Sequence, residues 1–142
     1  MKILIQSTEA ELEKCFRIIH QLRPHLDINQ FIAQTKRQKI ESGYTLVFAE
    51  DESNNFLSVA GFRIAEFLAW GKILYVDDLV TDIVHQSKGF GSSLLKWLDA
   101  YARKMNCKEI HLDSGVQRFQ AHRVYLQHKM DITCHHFGKK IS

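Results

Sequence analysis

The stretch "VTDIVHQSKGFGSSLLKWL", Val80 to Leu98, passes from the period of a strand to the period of a helix, and Gly89 and Gly91 stand at the join. Glycine lets the backbone come close to another group, and a helix opening straight behind it aims its unpaired N–H groups at the same place. The join therefore predicts an anion site between a strand and an amphipathic helix.

The flanking patterns extend this reading in both directions. "KILYVDDLVTD" is the strand ahead of the join, and Leu94, Leu98, Tyr101 and Met105 form the core-facing stripe of the helix behind it. Upstream, "KILIQ" reads as a first strand. "STEAELEKCFRIIHQLRP" reads as a helix with Ser7 or Thr8 as N-cap, Glu11 as its box partner and Pro24 as its stop. A second helix spans roughly Ile28 to Ser42, closed by Gly43, with enough charge to suggest a half-exposed lid. "YTLVFAE" and "FLSVAGFRIAEFLA" make a hairpin around the turn formers "DESNN". Downstream, "KEIHLDS" is a strand, "QRFQAHRVYLQHK" a short helix and "DITCHHFGKKI" a final strand. The order is β-α-α-β-β-β-α-β-α-β, an α/β (α+β) arrangement with a mixed sheet flanked by helices.

At 142 residues the chain is long enough for a single domain, 1–142, with its own core. A hydrophobic content of 45% with 25% charged residues excludes disordered and collagen-like classes, and no run approaches the length of a membrane span. The net charge of +3 comes without a basic stripe, which argues against a nucleic-acid partner. The N-terminus does not resemble a secretory signal, so a cytoplasmic protein without a membrane partner is expected. Cys15, Cys107 and Cys134 are scattered and lack a C-x-x-C pair, as expected of reduced thiols. His135 and His136 would point apart on a strand, and no further ligand completes a zinc set, so no metal is expected.

A P-loop is excluded because no lysine follows the glycines in the required frame. A Rossmann site would need glycine where Leu94 stands, and too little chain follows Asp113 to complete its sheet. The spacing of Gln86, Gly89 and Gly91 gives Q-x-x-G-x-G. Together with "LVTDIVHQSKGFGSSLL" it resembles the acyl-CoA-binding signature of the GNAT superfamily of N-acyltransferases. The segment "AHRVYLQHKM" resembles a second family segment, with Ala121 and Tyr125 in register, and the element order matches along nearly the whole chain. Two positions depart from the family pattern. Arg118 stands where an asparagine is often found, and Lys129 where the second segment has glycine.

The resemblance implies a mostly antiparallel sheet of about six to seven strands with about four helices, splayed around the fourth strand. It implies acetyl-CoA as donor co-substrate, its pyrophosphate against the amides of Ser87, Lys88, Gly89, Phe90, Gly91 and Ser92, with Gln86 of the signature also cofactor-binding. The glycines there keep a Cβ from pushing the phosphates away, and Lys88 either adds charge or is simply solvated. The pantetheine arm would pair with the backbone of Leu79, Val80 and Thr81, and an N–H near Leu79 or Val80 would face the oxyanion. Tyr125 matches the family's general acid for the departing thiolate.

Asp77 corresponds to an acidic position that some members use on the substrate amine. Asp77 and Asp78 are adjacent, so strand alternation points them to opposite faces unless a bulge intervenes. The alternative for either is a sheet-end carboxylate satisfied by backbone or lysine. The implied function is an N-acetyltransferase acting on a primary amine by direct attack in a ternary complex. A protein lysine acetyltransferase and a non-catalytic CoA-binding regulatory module are the alternatives. The acceptor is left open as a small amine or a protein amine, with the two aspartates favouring a cationic one. Family members are often dimers, and a final strand at a sheet edge would suit a homodimer unless its lysines block that edge.

Overall fold

A computed structural model describes residues 1–142, which gather into two compact units, 1–112 and 113–142. The first unit holds β1 (Lys2–Ile5), α1 (Glu9–Leu22), α2 (Ile28–Ser42), β2 (Thr45–Glu50), β3 (Phe56–Phe67), β4 (Gly71–Thr81), a 3₁₀ turn (Ile83–His85), α3 (Phe90–Lys104) and β5 (Glu109–Leu112). The second holds α4 (Phe119–Gln127).

The five strands of the sheet lie in sequence order; β1, β2, β3 and β4 pair antiparallel, and β5 joins β4 in parallel. The switch to parallel pairing follows from α3, which occupies the connection that a hairpin turn would otherwise fill. Alternation along β2 supplies both faces. Leu46 and Phe48 pack with Leu12, Ile18 and Phe31 from α1 and α2, whereas Val47 and Ala49 pack with Leu94, Leu98 and Ala102 of α3. A sheet covered on both faces explains why β3 is buried from Phe56 to Phe62.

Local signals account for the helix ends. Thr8 is the N-cap of α1: its Oγ1 accepts from Glu11 N at 3.1 Å, and Glu11 Oε1 accepts from Thr8 N at 3.0 Å. The same carboxylate accepts from Ser7 N, and these backbone donors hold Glu11 below its ordinary pKa. Asp27 and Gln30 cap α2 in the same reciprocal way, and Gly43 ends it at φ 70°. Cys15 is fully buried on α1, where burial pushes its thiol up to about 12. No helix is long and apolar enough to cross a membrane.

The expected final strand is absent. Residues 131–142 form no regular structure and are exposed throughout, including Ile132, Phe137 and Ile141. A period-two pattern states which residues would share a face but supplies no neighbouring strand, and the alternation breaks at Phe137–Gly138. The sheet thus has five strands rather than six or seven, and the edge on which the homodimer argument rested is not formed.

Candidate active site

Two features of β4 make a site: its far end leads into the glycine turn, and its middle carries the aspartates. The chain leaves the sheet at Asp82, which is buried and pinned by α1. Arg17 Nη1 donates to Asp82 Oδ2 at 2.9 Å, Gln21 Nε2 donates to Oδ1 at 3.2 Å, and Ile83 N donates to Gln21 Oε1 at 3.0 Å. Burial pushes the Asp82 carboxyl up, but the donors from Gln21, Arg17 and Val84 N outweigh it and leave the pKa lowered.

Beyond the 3₁₀ turn, Gln86, Ser87, Lys88 and Gly89 are exposed. Ser87 at φ 64° and Gly89 at φ 85° both take the left-handed conformation, and Gly89 is the N-cap of α3 without any side-chain cap. The first helical bond runs from Ser93 N to Gly89 O, so the Phe90 and Gly91 amides have no acceptor inside the helix. The two glycines serve different ends. Gly89 has open space around it and is required by its backbone hand, whereas a Cβ on Gly91 would lie 3.3 Å from Thr81 Oγ1. An uncapped helix start with room above Gly89 fits a pyrophosphate.

Along β4, Leu79, Val80 and Thr81 pair with Ala60, Val59 and Ser58 of β3. On the other side, pairing with β5 stops at Val76 opposite Leu112. No strand of the sheet continues along that edge, which leaves Asp77 to Thr81 as the stretch where β4 parts from its neighbour.

A bulge at this point decides where the aspartates go. Val76 pairs with Phe62 and Asp78 with Gly61, so Asp77 is the extra residue. The face assignment changes parity across it: Leu74 and Val76 pack on the α3 side before the bulge and Leu79 packs there after it, while Val80 packs on the α1 side. Asp77 keeps the old parity and Asp78 takes the new one. Both therefore face the α1–α2 side, the case the sequence reading reserved for a bulge, and both line one cavity of about 370 Å³ with Arg23, Phe31, Gln38 and Tyr44.

Each carboxylate in that cavity is already held. Arg63 forks onto Asp77, with Nε to Oδ1 at 3.0 Å and Nη2 to Oδ2, while its Nη1 donates to Ser42 Oγ at 2.7 Å. Arg23 Nε donates to Asp78 Oδ1 at 2.9 Å and its Nη2 to the Asp77 carbonyl at 3.1 Å. Tyr44 Oη donates to Asp78 Oδ2 at 2.6 Å. Burial raises the Asp77 pKa against the pull of Arg63. Burial, reinforced by Asp78, lifts the Tyr44 phenol well above its ordinary value, so it stays a donor. Gly61 makes this contact feasible, because a Cβ there would lie 1.8 Å from Tyr44 Oη.

Tyr125 lies in the second unit, on α4, where it is buried. Burial raises its phenol and Arg118, the residue at the departure from the family pattern, pulls the other way. On the same helix His122 Nε2 lies 2.9 Å from Gly115 O. His135 and His136 are exposed in the C-terminal segment.

Sequence reasoning missed Arg23, Arg63, Tyr44 and Asp82. The one available signal was Gly61, a lone glycine inside a strand, which marks a bulge or a close approach and here marks both.

The chain matches the model of the Acetyltransferase (GNAT) family over residues 5–130. It is 32% identical over 127 residues to the uncharacterized N-acetyltransferase YhdJ of Bacillus subtilis (strain 168), covering 89% of this chain and 88% of that protein. Among solved structures it shares the fold of an acetyltransferase of Trypanosoma brucei, with TM-score 0.79, 16% identity and 99% of each chain covered. It likewise shares the fold of a GNAT family acetyltransferase of Staphylococcus aureus, with TM-score 0.79 and 18% identity, covering 99% of this chain and 100% of that one.

Proposed function

Since the chain belongs to the GNAT family of acetyltransferases, we propose that it moves an acetyl group from acetyl-CoA to a primary amine by direct attack in a ternary complex. The observation that carries this reading is the layout of β4. One strand presents two carboxylates to a cavity, continues along an edge without a β5 partner, and ends at an uncapped helix start behind a left-handed glycine.

The uncapped start fits the co-substrate. The Phe90 and Gly91 amides and the α3 dipole would hold the pyrophosphate, with Gln86, Ser87, Lys88 and Ser92 around it, and the backbone of Leu79, Val80 and Thr81 would hold the arm. When bound, acetyl-CoA supplies a thioester: a C–N bond replaces its C–S bond, sulfur leaves with the bonding pair and takes one proton, and, as the primary ammonium gives up two of its three protons, the other goes to solvent.

The chain's residues act on the amine and on those protons. An alkylammonium has a pKa of about 10.4, so it must lose a proton before attack. Asp77, raised by burial but held by Arg63, is a better acceptor for that proton than an exposed carboxylate, and passes it to water. Asp78, fixed by Tyr44 and Arg23, orients the ammonium. An N–H at Leu79 or Val80 would donate to the carbonyl oxygen as negative charge gathers on it. Tyr125 is the candidate proton donor to sulfur, and its raised pKa keeps the phenol in the protonated state that a donor needs.

The test is release of CoA thiol from acetyl-CoA with a panel of amines. Amine-dependent release supports the reading; tight CoA binding without release from any amine overturns it in favour of a binding module.

A further inference from the structure

The cavity beside the bulge has a charge balance that acetyl transfer does not by itself require. Asp77 and Asp78 are its only acids, and Arg63 and Arg23 match them one for one. A pocket for a polyamine needs surplus negative charge, because each cation taken from water needs a counter-charge. None is left over here, so the lean toward a plainly cationic acceptor loses its support.

Arg23 offers something else. Its Nε and Nη2 are directed at the aspartates, while its Nη1 amino group is uncommitted; its side chain is 42% exposed and lines the cavity. A guanidinium carries five N–H donors, and a free edge of it matches a carboxylate in two parallel bonds. The cavity volume of about 370 Å³ suits a small molecule.

Resting on the acetyl-transfer reading above, we infer that the acceptor is a small zwitterion, an amine that carries its own carboxylate. Arg23 holds that carboxylate, and the aspartate pair receives the ammonium. Such a molecule enters with no net charge, and each of its ends meets an opposite charge already fixed in place by α1 and β4. Arg23 is then the residue that sets specificity, because of the two arginines it alone lines the cavity.

The experiment measures kcat/KM for amino acids, their methyl esters and their decarboxylated amines with acetyl-CoA, in the wild type and in Arg23→Gln and Arg23→Lys. At least one free amino acid should exceed its own ester and amine by about tenfold or more, equal to about 1.4 kcal/mol. Arg23→Gln should bring that ratio toward one, chiefly through KM, and Arg23→Lys should restore part of it. A merely structural role for Arg23 would lower activity on all acceptors and leave the ratio alone. Wild-type turnover indifferent to the carboxylate overturns the inference and keeps the transferase, even if Arg23→Gln fails to fold. No thiol release from any acceptor sinks both.

Discussion

Gly61→Ala tests the geometry of the acceptor side most directly. The new Cβ would lie 1.8 Å from Tyr44 Oη, 2.4 Å from Cζ and 2.8 Å from Cε1. Ordinary contact needs about 3.4 Å or more, so the ring must shift by about 1.5 Å. Tyr44 has little room for this, being 4% exposed and packed in the α1–α2 core. Overpacking of this kind costs about 1–3 kcal/mol. The shift also breaks the 2.6 Å bond to Asp78, a charge-assisted one that contributes about 1.5–3 kcal/mol. The two effects overlap, since relieving the clash is what breaks the bond, and we expect a loss of about 2–4 kcal/mol. Urea denaturation measures it. In a Tyr44→Ala background the same substitution should cost less than about 1 kcal/mol, because the atoms it strikes are gone. Amine kcat/KM should fall in Gly61→Ala while CoA affinity holds, since the glycine turn is not touched. An unchanged denaturation midpoint, or costs that simply add in the double variant, would refute the reasoning.

Gly91→Val adds branched carbons beside Thr81, where even a Cβ meets Oγ1 at 3.3 Å, and should weaken CoA binding about tenfold or more by calorimetry on folded protein. Equal affinity would remove the turn from the CoA site. Asp82→Asn removes a carboxylate whose pKa folding lowers, so its contribution to stability is present above the ordinary carboxylate range and is lost as pH falls through the lowered value. Denaturation should show a deficit of about 1–2 kcal/mol near neutral pH that closes in acid; a deficit constant with pH would count against the ion pair. Asp77→Asn should lower kcat/KM most at neutral pH and least in alkaline solution, where the amine deprotonates unaided. A flat ratio across pH, with the dependence moving to Asp78→Asn, reverses the two roles. Tyr125→Phe should lower kcat by about 10²-fold, the low end for general acids because a thiolate with pKa near 8.5 already leaves tolerably. Full kcat, or a loss that only tracks stability or CoA affinity, would make Tyr125 a packing residue.

What was legible in the sequence is what depends on neighbours in the chain. The bounds of α2 follow from residues within one turn of each end, and the Thr8–Glu11 box was readable because both partners lie in one turn. The glycine turn is legible for the same reason: an αL residue followed by a helix is a local backbone requirement, and Gly89 meets it at φ 85°. The C-terminal strand failed because periodicity carries no information about a partner, which has to come from elsewhere.

The aspartates show where local reading runs out. Alternation alone separates Asp77 from Asp78, and only the register of β3 against β4, with Gly61 opposite Asp78, brings them to one face. Their partners are further still from view. Arg23 reaches Asp78 from a position 55 residues earlier, and Tyr44 from one 34 residues earlier. In the sequence Arg23 is a charge at the end of a helix, just before Pro24, where solvation or the helix dipole is account enough. The same arginine in the fold closes α1 onto β4 and faces the cavity with donors to give. A bulge thus does what neither composition nor spacing could announce: by adding one residue to one strand it converts two separated acids into a pair, and each then requires a cation. On the acceptor reading inferred above, the pairing of charges across β4, rather than the acids alone, would select what binds in the cavity, and the ratio of amino acid to ester in Arg23→Gln is its measure.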